Sequence, residues 1–383
     1  MDVPQSTPSM GVEEEFLLVD PRTGQPAPLG AEVVAAAGRR FGVELDVELA
    51  RAQVETKTSV CHTLADVGRQ LRGMRLVAAD AARGLGCTLL ATGVPPVGGP
   101  EVATAGGDRY RHLAEDYRLL AREQSICGCH VHVAVPDPET AVQVCNHLRP
   151  WLPVLGAVTA NSPLACGRDT GYASWRTVVW SRWPAAGPPP YFESAEHYDS
   201  VCDLLVDSGA AHDRRMVYWD VRPSSHLPTV EVRVADVAAT ADEAVLLAGL
   251  VRALVTAALA DVHRGLPAPR VPTELLRVAS WRAARDGLTG LCLDVPSERL
   301  VPARLVLDRL LHRVRDHLDG DDLALVRDLL ARVDQHGTGA ARQRRAHARA
   351  GRLSDVLDQV AADTVAGTET WTGQAGLSRT RAE

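Results

Sequence analysis

The feature that most constrains the fold is a period of two in hydrophobicity, which recurs in four short segments. In each segment, apolar side chains alternate with charged or polar ones, which is typical of a β-strand that buries one face. Stretches with apolar residues at three- and four-residue steps, such as 64–85, lie between them and predict helices. The predicted strands are VEEEFLLVD (12–20), AQVETKTSV (52–60), CGCHVHVAV (127–135) and TVEVRVAD (229–236).

The polar faces of these strands are rich in glutamate and histidine. Side chains two residues apart in a strand share a face and lie roughly 7 Å apart. The pairs and triplets that share a face are Glu13 with Glu15, Gln53 with Glu55 and Lys57, His130 with His132, and Glu231 with Arg233. A face that is merely solvated is common in antiparallel sheets, but it usually carries Thr, Lys, Gln and Ser. Crowded carboxylates instead favour a bound Mg²⁺ or Mn²⁺, which prefers oxygen ligands and can bridge them to the phosphates of a nucleotide.

The segment ICGCHVHVAVP (126–136) has the residue types of a zinc site but not its geometry. Cys129 and His130 project to opposite faces of the strand, so one ion cannot easily bind both. No second cysteine pair stands at zinc-site spacing. We therefore predict that the cysteines are core residues. Glu14 is an exception to the pattern, because it is a charge on the otherwise apolar face of its strand.

The composition excludes several classes of protein. The chain has 383 residues, 46% of them hydrophobic, and a formal charge of −7, which argues against nucleic-acid and membrane-surface partners. The N-terminus has no signal-peptide pattern. The most apolar stretch, 243–262, contains Arg252 and is predicted to be a buried helix. Eight unevenly spaced cysteines do not suggest a disulfide scaffold, so we expect a cytoplasmic enzyme.

The order of the elements favours an α+β fold in a single catalytic domain spanning residues 1–383, with loose ends at 1–10 and 367–383 and a helical C-terminal third. The segment 161–192, with three tryptophans, is either a binding loop or a surface loop docked by those tryptophans. No P-loop motif occurs. A bound nucleotide would therefore have to be held through metal ions and carboxylates.

Seven blocks of the sequence, in order, resemble the carboxylate–amine ligase family of the glutamate–cysteine ligase 2 type. They run from Gly11 to Arg345 and so cover nearly the whole chain. The blocks are GVEEEFLLVD, VETKTSVC, CGCHVHVAV, GRDTGYASWRTVVWSRWPAAGPP, YWDVRPSSHLPTVEVRVAD, WRAARDGL and GAARQRR. The resemblance implies a glutamine-synthetase-like catalytic fold, in which a curved, mainly antiparallel sheet backed by helices binds Mg-ATP on its concave face.

The resemblance also implies roles for the polar strand residues. The implied metal ligands are Glu13, Glu15, Glu55, Glu231 and His130. Arg233 corresponds to the arginine that steadies the transferred phosphate, and Arg222 is a second candidate. His130 is implied to reach a metal ion or a nucleotide phosphate. Two roles stay open: His132 either binds the nucleotide or supports the ligands, and Lys57 either contacts a phosphate or is incidental.

The implied reaction is ATP-dependent ligation through an acyl phosphate, most simply of L-glutamate to L-cysteine, with ATP and Mg²⁺ or Mn²⁺. Three arginines of the 161–192 segment, Arg168, Arg176 and Arg182, are candidates for binding the α-carboxylate of the substrate. The partners we expect are small molecules, with a homo-oligomer possible. Two alternatives stay open: the same chemistry on another acid or amine, and a non-catalytic protein that binds amino acids or nucleotides.

Overall fold

The computed structural model of the chain describes residues 7–99, 103, 106 and 108–368. Most of the two predicted loose ends lies outside these described residues. The strands are β1 (Met10–Val19), β2 (Asp46–Val47), β3 (Gln53–Lys57), β4 (Thr88–Leu90), β5 (Gly128–Ala134), β6 (Leu164–Ala165), β7 (Arg168–Asp169), β8 (Val221–Pro223), β9 (Thr229–Asp236), β10 (Leu291–Asp294) and β11 (Arg299–Pro302).

The helices alternate irregularly with these strands, as an α+β fold requires. They are α1 (Gly30–Phe41), α2 (Leu64–Gly84), α3 (Asp108–Tyr117), α4 (Leu119–Arg122), α5 (Pro138–Leu148), α6 (Leu152–Val158), α7 (Trp175–Trp180), α8 (Ala195–Asp207), α9 (Ala241–His263), α10 (Thr273–Asp286), α11 (Ala303–Val314), α12 (Gly320–His336), α13 (Gly339–Ala350) and α14 (Leu353–Thr364). Short polar side chains begin several of them; the hydroxyl of Thr63, for example, accepts a hydrogen bond from the first turn of α2.

One antiparallel sheet organises the molecule. Its strand order is β2-β3-β1-β5-β9-β8, and β4 pairs with the end of β1. All four predicted strands are present in it, and the predicted fold class is confirmed. The short strands β2, β4 and β8 carry too few residues to show a period of two, and the sequence pattern did not reveal them.

The apolar faces of the strands pack on helices. The alternating valines of β5 and β9 join α5, α6 and α9 in the largest hydrophobic cluster, whereas Phe16, Leu18 and Val54 pack with α1, α2 and α14. Helix α9 is long and apolar enough to cross a membrane, but 72% of its apolar window is buried inside the protein. The cysteine prediction also holds, because Cys127 and Cys129 are fully buried in these clusters.

Two regions differ in detail from the prediction. The C-terminal third is helical as expected, but the β10–β11 hairpin interrupts it. The segment 161–192 contains the β6–β7 hairpin and α7, and its Trp180 and Trp183 are buried. It is therefore a packed part of the fold rather than a loose connection.

The exception in the first strand is explained by a buried ion pair. Glu14 on β1 and Arg75 on α2 are both fully buried and form two hydrogen bonds, of 3.0 Å from Nε and 2.5 Å from an Nη atom of Arg75. Arg75 also donates to the carbonyl oxygens of Ala238, Ala239 and Thr364. One guanidinium thus joins the back of β1, the end of β9 and the end of α14.

Breaking this pair should destabilise the whole domain. In Glu14→Gln, the Arg75 charge stays buried without its counter-ion, and we expect the free energy of unfolding to fall by about 3–5 kcal/mol. Urea denaturation followed by circular dichroism measures the change. The matched control is Arg315→Met, which removes the exposed Arg315–Asp316 pair and should cost at most about 1 kcal/mol. Equal stability of Glu14→Gln and the native chain would contradict the assignment.

Candidate active site

The polar faces of neighbouring strands meet on one side of the sheet and line a cavity of about 310 Å³. Strand pairing brings the predicted residues together, because antiparallel neighbours place their side chains opposite each other on the same face. The opposed pairs are Glu15 and Glu55, Glu13 and Lys57, Glu13 and His130, His132 and Glu231, and Arg222 and Glu231. Arg233 lies on the same face, two residues after Glu231, and also lines the cavity.

Three groups of potential metal ligands converge in this cavity, each with its ligand atoms within 4.8 Å of one another. They are Glu13, Glu55 and His130; Glu13, His132 and Glu231; and Glu15, Glu48 and Glu55. Sets dominated by carboxylate oxygen suit Mg²⁺ or Mn²⁺. The Nε2 atoms of His130 and His132 are buried and have no hydrogen-bond partner among the described residues. The side chains present therefore fit divalent ions.

The two histidines occupy different surroundings. Nδ1 of His130 lies 3.4 Å from a carboxylate oxygen of Glu13 and 3.4 Å from Nη1 of Arg233. Burial, reinforced by Arg233, lowers the pKa of His130, which favours the neutral form that binds metals. Nδ1 of His132 lies 3.0 Å from the hydroxyl of Thr229, and its Nε2 lies 3.7 Å from Glu13. His132 therefore has the geometry of a ligand in its own right.

The carboxylates differ in how easily they carry charge. Burial and the neighbouring Glu48 raise the pKa of Glu55 well above its usual range, and burial together with Glu15 raises the pKa of Glu48 to about 8. Burial also disfavours the charge on Glu13, but hydrogen bonds from the histidines outweigh it and lower the pKa. At the β3 end of the cavity, crowded carboxyl groups therefore favour their protonated form.

The two arginines of the β8–β9 pair hold Glu231 between them. Arg222 donates from Nε to Glu231 at 2.8 Å and from Nη1 to the carbonyl oxygens of Arg215 and Val217. Arg233 forms an ion pair with the other oxygen of Glu231. Burial opposes the charge of Glu231, yet the two arginines outweigh it and hold its pKa well below the usual range. Nε of Arg233 is buried without a partner in the described structure and can donate to a ligand.

Lys57 lies at the edge of the cavity and is already paired. Its Nζ lies 2.8 Å from Glu55 and 3.0 Å from Asp46, and about half of its side chain is exposed. It compensates part of the charge of Glu55. These ion pairs are sufficient to explain a lysine at this position. A contact between Lys57 and a phosphate stays a prediction.

The structure separates the three arginines of the 161–192 segment. Arg176 is buried and lines the cavity, with an Nε atom that has no partner among the described side chains. Arg168 is exposed on β7, and Arg182 forms an ion pair of 2.6 Å with Glu123 outside the cavity. Of these three arginines, Arg176 alone lines the cavity, and it is the remaining candidate for binding the substrate.

Sequence reasoning missed Glu48 and the aromatic wall of the cavity. Glu48 lies between β2 and β3, outside any alternating run, so no periodic pattern indicates it. Trp180 and Trp183 pack against Tyr218, with ring centroids 4.7 and 5.7 Å apart, and all three line the cavity. The density of tryptophan in the 161–192 segment was the signal that could have indicated this wall.

Comparison with known proteins agrees with this geometry. The sequence model of glutamate–cysteine ligase family 2 matches residues 9–362 of this chain. The chain belongs to this family. A protein of Mycobacterium sp. (strain KMS), named provisionally as glutamate–cysteine ligase 2-2, is 50% identical over 361 residues, which are 94% of this chain and 99% of that protein. The resemblance noted in the sequence is thus confirmed.

Solved structures share the fold at low sequence identity. A glutamate–cysteine ligase from Francisella tularensis, in complex with AMP, superposes with a TM-score of 0.72 at 13% identity over 95% of this chain and 89% of that one. A bifunctional glutathione synthetase from Pasteurella multocida gives 0.71 at 17% identity over 95% and 52%. At these identities, the likeness establishes the fold alone.

The ligand groups predict how metal binding responds to substitution. Glu13 belongs to two groups, so Glu13→Gln should weaken the binding of Mn²⁺ at two positions by at least about tenfold. Glu231→Gln should affect one position. Mn²⁺ titration monitored by electron paramagnetic resonance gives the number of ions bound and their affinity. The exposed Glu44→Gln is the control; a loss of the same size in Glu44→Gln, or none in Glu13→Gln, would argue against these ligands.

Proposed function

We propose that this chain is an ATP-dependent ligase that joins the γ-carboxylate of L-glutamate to the amine of L-cysteine through an acyl phosphate. The observation that carries the proposal is the array of three ligand groups beside Arg233 on one face of the sheet. Such an array suits a triphosphate, since phosphoryl transfer depends mainly on positioning and on neutralising charge. Membership of the family and the names of the relatives support the substrates, and the AMP complex of the Francisella tularensis protein supports nucleotide use.

The proposed reaction has two steps. The γ-carboxylate attacks the γ-phosphorus of ATP and releases ADP, and the amine then displaces phosphate from the acyl phosphate. Divalent ions held by the cavity carboxylates would supply positive charge to the phosphates. Arg233 is fixed by Glu231 and keeps one buried donor free for a phosphoryl oxygen. Arg222, whose hydrogen bonds fix the other side of Glu231, adds positive charge to the same end of the cavity.

Arg176 is our candidate for the α-carboxylate of glutamate. Buried Asp236 accepts hydrogen bonds from the hydroxyls of Ser162 and Ser174, and the Ser162 hydroxyl in turn accepts from the backbone N–H of Arg176. This network fixes the start of α7 against the end of β9. An arginine held in this way is pre-organised for a planar carboxylate.

We also propose that the enzyme works in the cytoplasm. All eight cysteines are free and seven of them are buried, which supports a reducing compartment. The burial of α9 inside the protein supports a role for it as a core helix rather than a membrane anchor.

The direct test is the release of ADP from Mg-ATP across a panel of acid and amine pairs. We expect turnover that requires both L-glutamate and L-cysteine, and we expect Glu55→Gln to abolish it without loss of folded structure. Turnover with only a different acid and amine pair would support the ligase reaction but refute L-glutamate and L-cysteine as its substrates. Ligand binding without turnover on any pair would refute the ligase.

Substitution of the loop arginines tests the carboxylate assignment. Lysine cannot form the bidentate contact of a guanidinium, so Arg176→Lys should raise the KM for L-glutamate by at least about tenfold. Arg168→Lys makes the same chemical change at an exposed site and should leave this KM unchanged within about twofold. Steady-state kinetics at saturating ATP and cysteine distinguish the two variants. A larger effect at Arg168 than at Arg176 would reverse the assignment.

A further inference from the structure

A second cavity of about 280 Å³ adjoins the active-site cavity and shares part of its aromatic wall. Trp180 and Trp183 line both cavities. The other residues of the second cavity that matter below are Asp220, Thr273, Arg277 and Ser280. Its volume is near the lower end of small-molecule sites, which begin at roughly 300 Å³. Its volume is sufficient for a small metabolite.

Asp220 gives this cavity a buried carboxyl group. Asp220 is 6% exposed, and its backbone oxygen accepts a hydrogen bond of 2.8 Å from the N–H of Arg233. Among the described residues, the charges of Arg176 and Arg233 act on its carboxylate without a hydrogen bond to it. Burial raises the pKa of Asp220 to about 7, against the opposing effect of Arg176 and Arg233. A cation placed beside it would stabilise the charged form.

Two residues that line the second cavity, Trp180 and Ser280, each carry a buried polar atom without a partner among the described residues. Trp180 Nε1 and Ser280 Oγ form no hydrogen bond within the described part of the chain, although the two residues are only 8% and 9% exposed. A buried polar group without a hydrogen bond destabilises the folded protein, and a ligand that supplies the bond is favoured at such a position. The indole N–H can only donate, so it requires an acceptor, which a carboxylate supplies.

Helix α10 contributes positive charge and further polarity from one face. Thr273, Arg277 and Ser280 follow each other at intervals of four and three residues and so lie on the same side of the helix. Arg277 is exposed and forms no ion pair with any other described residue. The cavity is thus lined by the carboxylate of Asp220, by the guanidinium of Arg277 on α10, and by the neutral donors Ser280 on α10 and Trp180 on α7.

We infer that this second cavity binds an α-amino acid, with its ammonium group at Asp220 and its carboxylate facing Trp180 Nε1, Ser280 and Arg277. A carboxylate and a guanidinium in one cavity complement the two charges of a zwitterion, and aromatic rings beside a carboxylate favour an ammonium group. The shared wall places this amine next to the cavity of the proposed acyl phosphate. The role of this amino acid as the acceptor rests on the proposed function, whereas its binding does not.

Binding can be measured without catalysis. L-2-aminobutyrate, a thiol-free analogue of cysteine, is titrated into the full chain without ATP and followed by calorimetry. We expect Asp220→Asn and Ser280→Ala each to weaken its binding, the first by at least about tenfold. Trp180→Phe keeps an aromatic ring but removes the N–H together with the five-membered ring of the indole, so it too should weaken binding. The control Asp316→Asn makes the same change as Asp220→Asn at an exposed position.

The possible outcomes test the proposed amino-acid site and the proposed ligase function independently of each other. Unchanged binding in both Asp220→Asn and Ser280→Ala would overturn the site, and so would the absence of binding to the native chain. Mn²⁺ titration of the variants shows that the active site is folded. If the variants lose binding while the native chain turns over no substrate pair, the site stands and the ligase proposal fails. If turnover occurs, the KM for the amine should rise in Asp220→Asn and that for L-glutamate should not; a rise in both would overturn the acceptor role.

Discussion

Three consecutive glutamates on β1 determine how the rest of the molecule is arranged. Because strand side chains alternate, Glu13 and Glu15 face the cavity and Glu14 faces the core. Glu14 is compensated by Arg75, whose other hydrogen bonds reach the end of β9 and the end of α14. A shift of one residue in the position of this strand would bury two carboxylates and expose the third. The ion pair therefore fixes the face on which the site forms.

The charges that line the cavity are unevenly distributed. The lining residues include five carboxylates, Glu13, Glu15, Glu48, Glu55 and Glu231, and five cationic side chains, Lys57, Arg176, Arg215, Arg222 and Arg233. Arg222 and Arg233 both pair with Glu231 at one end, whereas Lys57 pairs with Glu55 at the other. The pKa of Glu55 and of Glu48 is raised where compensation is poorest. In the proposed reaction, divalent ions would be attracted to the carboxylate end of the cavity and would bring phosphates to the arginine end.

Local periodicity allowed the sequence to predict the strands and their faces, since alternation needs only the residues of one strand. Register is not local, so the opposition of Glu13 and His130 appears only when β1 and β5 pair. Glu48 lies in a connection and follows no period. The loop arginines are equivalent in sequence, and only the packing of α7 places Arg176 in the cavity while Arg182 pairs with Glu123.

The β8–β9 pair connects the two cavities. Arg222 lines the active-site cavity, whereas Asp220, which directly precedes β8, lines its neighbour. Trp180 and Trp183 line both cavities. In the proposed reaction, this edge of the sheet would offer positive charge to the phosphorylated acid and negative charge to the ammonium group of the acceptor. The two substrates would then bind in adjoining cavities, each against the charge that it requires.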